Sequence, residues 1–296
     1  MRGLAACALA SVVLLAAGAL SACSPLSLVN AVSPGGSARS IESIGYGPDQ
    51  RHSLSIYRPD KGARQAPVIV FFYGGNWVSG ERDDYEFVGR SLAARGFVVV
   101  IPDYRLYPQA SYPAFLDDSA RAVAWTSRRI AAYGGDPKRI FVMGHSAGAY
   151  NAAMVALDAR WLRRQGSGPA ILRGWIGLAG PYDFLPIQNE TTRPVFHYPD
   201  TPRDSQPIAH VSALAPPALL IAARNDKTVD PVRNSGAMAD RLRSVGVPVR
   251  EVVYDHVNHL TLVATLSSSL QRLAPTLDAV EEFVRSDGGR TAAGRD

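Results

Sequence analysis

Cysteine is almost missing from this chain: Cys7 and Cys23 are the only two in 296 residues, which excludes a disulfide-built scaffold. Lysine is nearly as scarce. Lys61, Lys138 and Lys227 are the only three, so arginine fills the other basic positions. The 31 basic residues are scattered among 26 acidic ones for a net charge of +5, without the dense basic stripe that nucleic-acid binding needs. No Gly-rich loop ends in a phosphate-binding lysine, and no His/Cys cluster has metal-ligand spacing, so neither nucleotide nor metal is expected as a cofactor. Long apolar runs are limited to one, Leu4 to Leu20, which excludes a polytopic membrane protein. Apolar residues make up 47% of the chain and are spread along it, as in a globular fold rather than a disordered or fibrous one. A chain of this length buries roughly three quarters of its unfolded surface and needs no covalent staples.

The N-terminus reads as an export signal over residues 1–22, with one charge at Arg2 followed by the apolar run. It ends in Leu20-Ser21-Ala22-Cys23, a large aliphatic, two small residues and cysteine. This resembles the lipobox of bacterial lipoproteins and implies acylation of Cys23. The protein would then be held at the bacterial cell envelope, on its periplasmic or outer-membrane face, without a spanning helix. Each buried methylene contributes about 0.8 kcal/mol to such an anchor. Residues 23–40, rich in Ser, Pro, Gly and Ala, read as a flexible tether, and residues 286–296 as a frayed polar tail.

Residues 41–285 alternate short apolar runs with amphipathic stretches. His52–Tyr57 alternates like a half-exposed strand. Val68–Tyr73, Phe97–Ile101, Ile140–Met143, Trp175–Leu178, Ala218–Ala222 and Val249–Tyr254 are the mostly continuous runs of strands covered on both faces. Helices are predicted over Tyr85–Arg95, Phe115–Tyr133, Ala147–Arg160, Pro231–Val245 and Leu273–Arg285. The alternation predicts one α/β domain, a mostly parallel central sheet flanked by helices, with function at the carboxyl ends of the strands.

Three strand ends carry groups suited to acyl transfer. Gly144-His145-Ser146-Ala147-Gly148 stands between an apolar strand and an Ala-rich helix, where a sharp reversal would expose the Ser146 hydroxyl at a helix N-terminus. Tyr73-Gly74-Gly75-Asn76-Trp77 ends another strand, and its backbone N–H groups, with that of Ala147, could hold an oxyanion. After two late strands come Asp226, with Asp230 close by, and the pair His256 and His259. Serine needs a base, and the base needs an acid that fixes its tautomer. Asp226 follows its strand at once and is the better acid, while Asp230 suits a cap for the helix begun at Pro231. His259 is the favoured base, with His256 its rival.

These words resemble the α/β-hydrolase carboxylesterases related to hormone-sensitive lipase and the small bacterial esterase/arylformamidase group. The resemblance also rests on Pro102-Asp103-Tyr104-Arg105-Leu106, Gly134-Gly135-Asp136-Pro137 and Asn225-Asp226-Lys227-Thr228-Val229, and it spans residues 44–284. It implies Ser146, Asp226 and His259 as catalytic residues and an oxyanion hole from Gly75, Asn76 and Ala147. Tyr73 stands where the family usually has histidine, and Ala222-Ala223 where it has His-Gly. Asp103, Arg105 and Asp117 or Asp118 read as ion pairs beneath the site. The segment 181–211 could form a small cap, with Trp77, Tyr182 and Phe184 expected to bind substrate and Phe196, His197 and Tyr198 as further lining. The expected activity is hydrolysis of small carboxylic esters. Amide hydrolysis and a non-catalytic envelope-binding role are the alternatives.

Overall fold

Each of the six apolar runs between residues 68 and 254 forms a strand in the computed structural model, which describes residues 25–33 and 38–289. The strands are β1 (Ala38–Gly45), β2 (Ser53–Pro59), β3 (Ala66–Phe72), β4 (Val98–Pro102), β5 (Gly135–His145), β6 (Leu172–Leu178), β7 (Ala218–Ala223) and β8 (Val249–Tyr254). They make one sheet in the order β1-β2-β4-β3-β5-β6-β7-β8. β2 runs antiparallel to β1 and β4, and the remaining pairs are parallel. β3, β4 and β7 are buried along their whole length, which is why their sequences are continuous rather than alternating.

The main helices are α1 (Pro25–Val32), α2 (Glu86–Ala94), α3 (Ala114–Arg129), α4 (Ala147–Leu157), α5 (Ala159–Arg164), α6 (Ala237–Ser244), α7 (His259–Ala264) and α8 (Thr276–Arg285). The stretch expected as one helix from Ala147 breaks at Asp158. That residue turns extended, and its carboxylate caps α5 by accepting from the Arg160 N–H. A π-helical turn over Val232–Gly236 precedes α6. All of α4 is buried, Asn151 included, so a nearly all-apolar helix sits directly over the middle of the sheet and brings the end of β5 into the core.

Two expectations at the chain ends need correction. Within the supposed tether of residues 23–40, Pro25–Val32 is helical and residues 38–40 already belong to the edge strand Ala38–Gly45. Leu26 is buried, the Asn30 amide donates to the Asp83 carbonyl (2.8 Å) and accepts from the Phe87 N–H (2.9 Å), and the Ser33 and Ser267 hydroxyls pair at 2.6 Å. β1 escaped notice because a register irregularity between Ile41 and Ile44 gives its partly buried residues a period of three rather than two. At the other end, residues 286–289 are docked: the Gly288 N–H donates to the Phe283 carbonyl (2.9 Å), and Asp287 pairs with Arg139 (2.9 Å). The signal segment, Cys23 and residues 290–296 lie outside the described residues.

Candidate active site

Ser146 sits at the junction of β5 and α4 with φ 54° and ψ −122°. This conformation costs a non-glycine residue about 1–3 kcal/mol, so the surroundings must impose it. They do so by close approach. A Cβ on Gly144 would lie 2.1 Å from the Gly148 carbonyl oxygen, and one on Gly148 would lie 2.0 Å from that of Phe72. Only glycine lets strand, turn and helix pack at these distances. The Ser146 carbonyl accepts from Ala149 and Tyr150 at 2.9 and 3.2 Å, starting α4, and its side chain is left at the helix N-terminus.

The Ser146 hydroxyl lies 2.8 Å from Nε2 of His259, and Nδ1 of the same ring lies 2.7 Å from an Asp226 carboxylate oxygen. A carboxylate only accepts, so the proton of the neutral imidazole is on Nδ1 and Nε2 faces the hydroxyl as a base. The second Asp226 oxygen accepts from the N–H groups of Thr228 (2.8 Å) and Val229 (3.0 Å). Burial pushes the Asp226 carboxyl up. The His259 contact and these two N–H groups outweigh it and hold the carboxyl below its ordinary range. His259 is the first residue of α7, whose start is fixed by a capping box between Asn258 and Thr261. His256 is exposed on the preceding loop. Asp230 caps the next turn, accepting from Val232 (2.9 Å) and Arg233 (3.0 Å), as its place before Pro231 predicts.

After β3 the chain reverses through Gly75, Asn76 and Trp77, all with positive φ (126°, 52° and 61°). The N–H groups of Val78 and Ser79 bond to the Gly75 carbonyl, closing the turn. Asn76, Trp77, Ser146 and Ala147 line the same cavity. The Ala147 N–H opens α4, where no carbonyl inside the helix can receive it.

The support of this loop was not legible in the sequence. Tyr73, where the family has histidine, is buried, and its hydroxyl accepts from Arg51 (2.7 Å). Arg51 also donates to the Gly80 carbonyl (2.7 Å), and the Tyr104 hydroxyl donates to the Tyr73 carbonyl (2.8 Å). The Gly74 N–H donates to the Tyr85 hydroxyl (3.2 Å), and the Trp77 indole N–H to the Asn151 amide oxygen (3.0 Å). Asn151 carried a usable signal: a lone amide in an otherwise apolar helix demands a partner. Beneath the loop, Arg105 grips Asp118 through Nε (2.8 Å) and Nη2 (2.7 Å), and His52 meets the same carboxylate at 2.9 Å. Asp103 pairs with Arg82, and Asp117 with Arg164 at 3.5 Å. The Asp103 and Asp118 pairs are those expected there, and Asp118 rather than Asp117 is the partner of Arg105.

The cavity in front of Ser146 has a volume of about 240 Å³. One wall is the start of segment 181–211, including Phe184, Ile187 and Asn189, and another is the stretch Thr228–Asn234. The Asn234 amide oxygen accepts from the N–H groups of Tyr182 (2.7 Å) and Asp183 (3.0 Å), tying one wall to the other. Trp77 and Phe184 therefore line the cavity as expected, but Tyr182 does not. Its ring turns inward and packs edge-on against Trp175 with centroids 5.7 Å apart, because the glycines at 177 and 180 leave room for it under the cap. Phe196 lies in the aromatic cluster behind Trp77, His197 donates to the Tyr112 carbonyl (2.6 Å), and Tyr198 is exposed against Arg193. None of these three lines the cavity.

A mostly parallel sheet with a serine on a strained strand-to-helix turn, and an acid and a histidine after later strands, defines the α/β-hydrolase fold. Comparison with known proteins narrows this. The BD-FAE family model matches residues 54–242, and the chain belongs to that family. It is 28% identical to a probable isoprenylcysteine alpha-carbonyl methylesterase of Arabidopsis thaliana over 74% of this chain and 51% of that protein. It is 31% identical to an esterase of Mycobacterium tuberculosis over 87% of this chain and 65% of that protein. The chain spans about half the length of the first of these relatives. Among solved structures, an esterase from Pyrobaculum calidifontis superposes with a TM-score of 0.67 at 26% identity, covering 90% of this chain and 89% of its own.

Proposed function

We propose that this protein hydrolyses small carboxylic esters through an acyl-enzyme on Ser146. The observation that carries the reading is the unbroken line Ser146, His259, Asp226, with contacts of 2.8 and 2.7 Å. As the Ser146 oxygen attacks the ester carbonyl, its proton passes to Nε2 of His259, and Asp226 stabilises the imidazolium. The carbonyl electron pair moves onto oxygen, where the N–H groups of Gly75, Asn76 and Ala147 receive it. The tetrahedral intermediate collapses, the alkoxide takes the proton from His259, and the alcohol leaves. Water then repeats the sequence, releasing the acid and restoring Ser146.

The cavity is below the usual range for drug-sized ligands, roughly 300–1,000 Å³, and its Trp77, Phe184 and Ile187 walls suit a short or aryl acyl group. On p-nitrophenyl esters of rising chain length, kcat/KM is therefore expected to fall by about tenfold or more between butyrate and dodecanoate. An N-formyl arylamine and an aminoacyl anilide, run beside them, should be slower than the best ester. An anilide or formamide turned over faster than every ester would replace this reading with amide hydrolysis.

The membrane attachment proposed here is a lipid on Cys23, supported by the Leu20-Ser21-Ala22-Cys23 sequence. Among the described residues no helix is long and apolar enough to cross a membrane. Metabolic labelling with a palmitate analogue should disappear in Cys23→Ala; label that persists in the variant contradicts the anchor.

A further inference from the structure

A second histidine is buried beside the nucleophile and takes no part in the proton path above. His145 is 3% exposed, and its ring touches chain from three distant parts of the sequence. Nε2 lies 2.9 Å from the main-chain carbonyl oxygen of His259. Nδ1 lies 3.5 Å from the Tyr85 hydroxyl, which itself receives the Gly74 N–H at 3.2 Å. The ring also lies so close to the oxyanion loop that a Cβ on Gly74 would be 3.1 Å from Nδ1.

The acceptors decide the protonation. A carbonyl oxygen cannot donate, so Nε2 carries the hydrogen. Burial and the neighbouring His259 lower the His145 pKa to about 3, so the ring stays neutral in ordinary buffers and Nδ1 is left as an acceptor for the Tyr85 hydroxyl. The donors then all run one way: Gly74 N–H to the Tyr85 oxygen, Tyr85 O–H to His145 Nδ1, His145 Nε2–H to the His259 carbonyl.

We propose that His145 is a positioning residue that ties the oxyanion loop, the Ser146 turn and the backbone of His259 into one fixed arrangement. The inference rests on the ester-hydrolase reading. His259 needs such a tie because it opens a helix of only six residues, after a loop in which Asp255, His256 and Asn258 are exposed. Beside the Asn258 cap, the contacts of its own ring and the packing of Leu262 and Val263, the His145 bond ties its carbonyl directly to the Ser146 turn. Displacing a reacting group by about 1 Å costs about 10²-fold in rate. A neutral ring suits the place for a second reason. The two imidazoles are 5.0 Å apart, so a cationic His145 would repel the imidazolium that forms on His259.

The test compares wild type with His145→Phe, which keeps an aromatic ring but neither hydrogen bond, and His145→Gln, whose amide can still donate. Tyr85→Phe, the double variant with His145→Phe, and Ser146→Ala complete the set, all assayed on p-nitrophenyl butyrate after folding is checked by circular dichroism. His145→Phe is expected to lose about 10- to 100-fold in kcat with KM within about twofold. His145→Gln should recover to within about fivefold of wild type. Tyr85→Phe should slow the enzyme by itself yet add little to His145→Phe, because both break the same chain. A His145→Phe kcat within about twofold of wild type, or equal slowing in the Phe and Gln variants, overturns the proposal. Should His145→Phe not fold, Tyr85→Phe and His145→Gln decide: loss in the first with near-normal kcat in the second supports the tie, and any other pattern refutes it. Ser146→Ala separates the two claims. Equal activity in that control refutes the hydrolase reading, whereas Ser146-dependent activity indifferent to His145 refutes only this inference.

Discussion

Ser146→Ala is expected to lower kcat/KM on p-nitrophenyl butyrate by about 10⁴-fold or more while leaving the protein folded. The size follows from the chemistry. Without the hydroxyl no acyl-enzyme forms, and His259 could at best activate a water that nothing holds against the carbonyl. The oxyanion donors and the binding cavity remain, so a small residual rate above the uncatalysed one should persist. Stability should change little, because alanine meets the same positive φ as serine, and that backbone is imposed by Gly144 and Gly148 rather than by the hydroxyl. The measurement is steady-state kinetics on both proteins beside their thermal melts. Ester hydrolysis of equal rate in the two would place the chemistry elsewhere, and an unfolded variant would show that the hydroxyl has a structural role absent from this account.

The second large effect concerns the acid. Asp226→Asn is expected to cut kcat by about 10⁴-fold even though the side chain keeps its shape. Asparagine can still accept from the Thr228 and Val229 N–H groups through its amide oxygen, so the loop should hold. What changes is the group facing His259. An amide nitrogen there donates to Nδ1, drives the ring proton to Nε2, and turns the base away from Ser146 as a donor. The imidazolium also loses its counter-charge. Because Asp226 is held below the ordinary carboxylate range, its carboxylate contributes stability that is present above the unfolded-state value and lost as pH falls through the folded one. The variant should lack that part of the acid dependence in urea melts taken at low pH. A variant within about tenfold of wild type would show that Asp226 does not set the tautomer.

Much of this arrangement was legible in the sequence because each reacting group follows a recognisable strand. Continuous runs such as Val68–Tyr73 and Ala218–Ala222 mark strands covered on both faces, and in a parallel sheet their carboxyl ends gather along one edge. Chain order then supplied serine, acid and histidine. The choice of His259 over His256 was also within reach: Asn258 and Thr261 form a capping box, so a helix starts at His259 and leaves His256 on the exposed loop before it.

What stayed hidden depended on tertiary partners. The Ser, Pro and Gly that flank Pro25–Val32 masked a short helix, and only tertiary partners of Leu26, Asn30 and Ser33 dock α1 on the domain. Aromatic residues in the cap segment looked alike on paper, and only the room left by the glycines at 177 and 180 sends Tyr182 inward while Phe184 faces the cavity. Arg51 and Tyr85 hold the loop after β3 from sequence distances of about two dozen and about a dozen residues, through bonds to single atoms that no local pattern encodes.

The most direct test of the account is to trap the nucleophile. Treatment with a fluorophosphonate, followed by intact mass and peptide mapping, should show one adduct per chain, carried by Ser146 and formed far more slowly in His259→Gln. An adduct on another residue, or an unmodified Ser146 in protein that has lost its esterase activity, would contradict the assignment of this serine as the nucleophile.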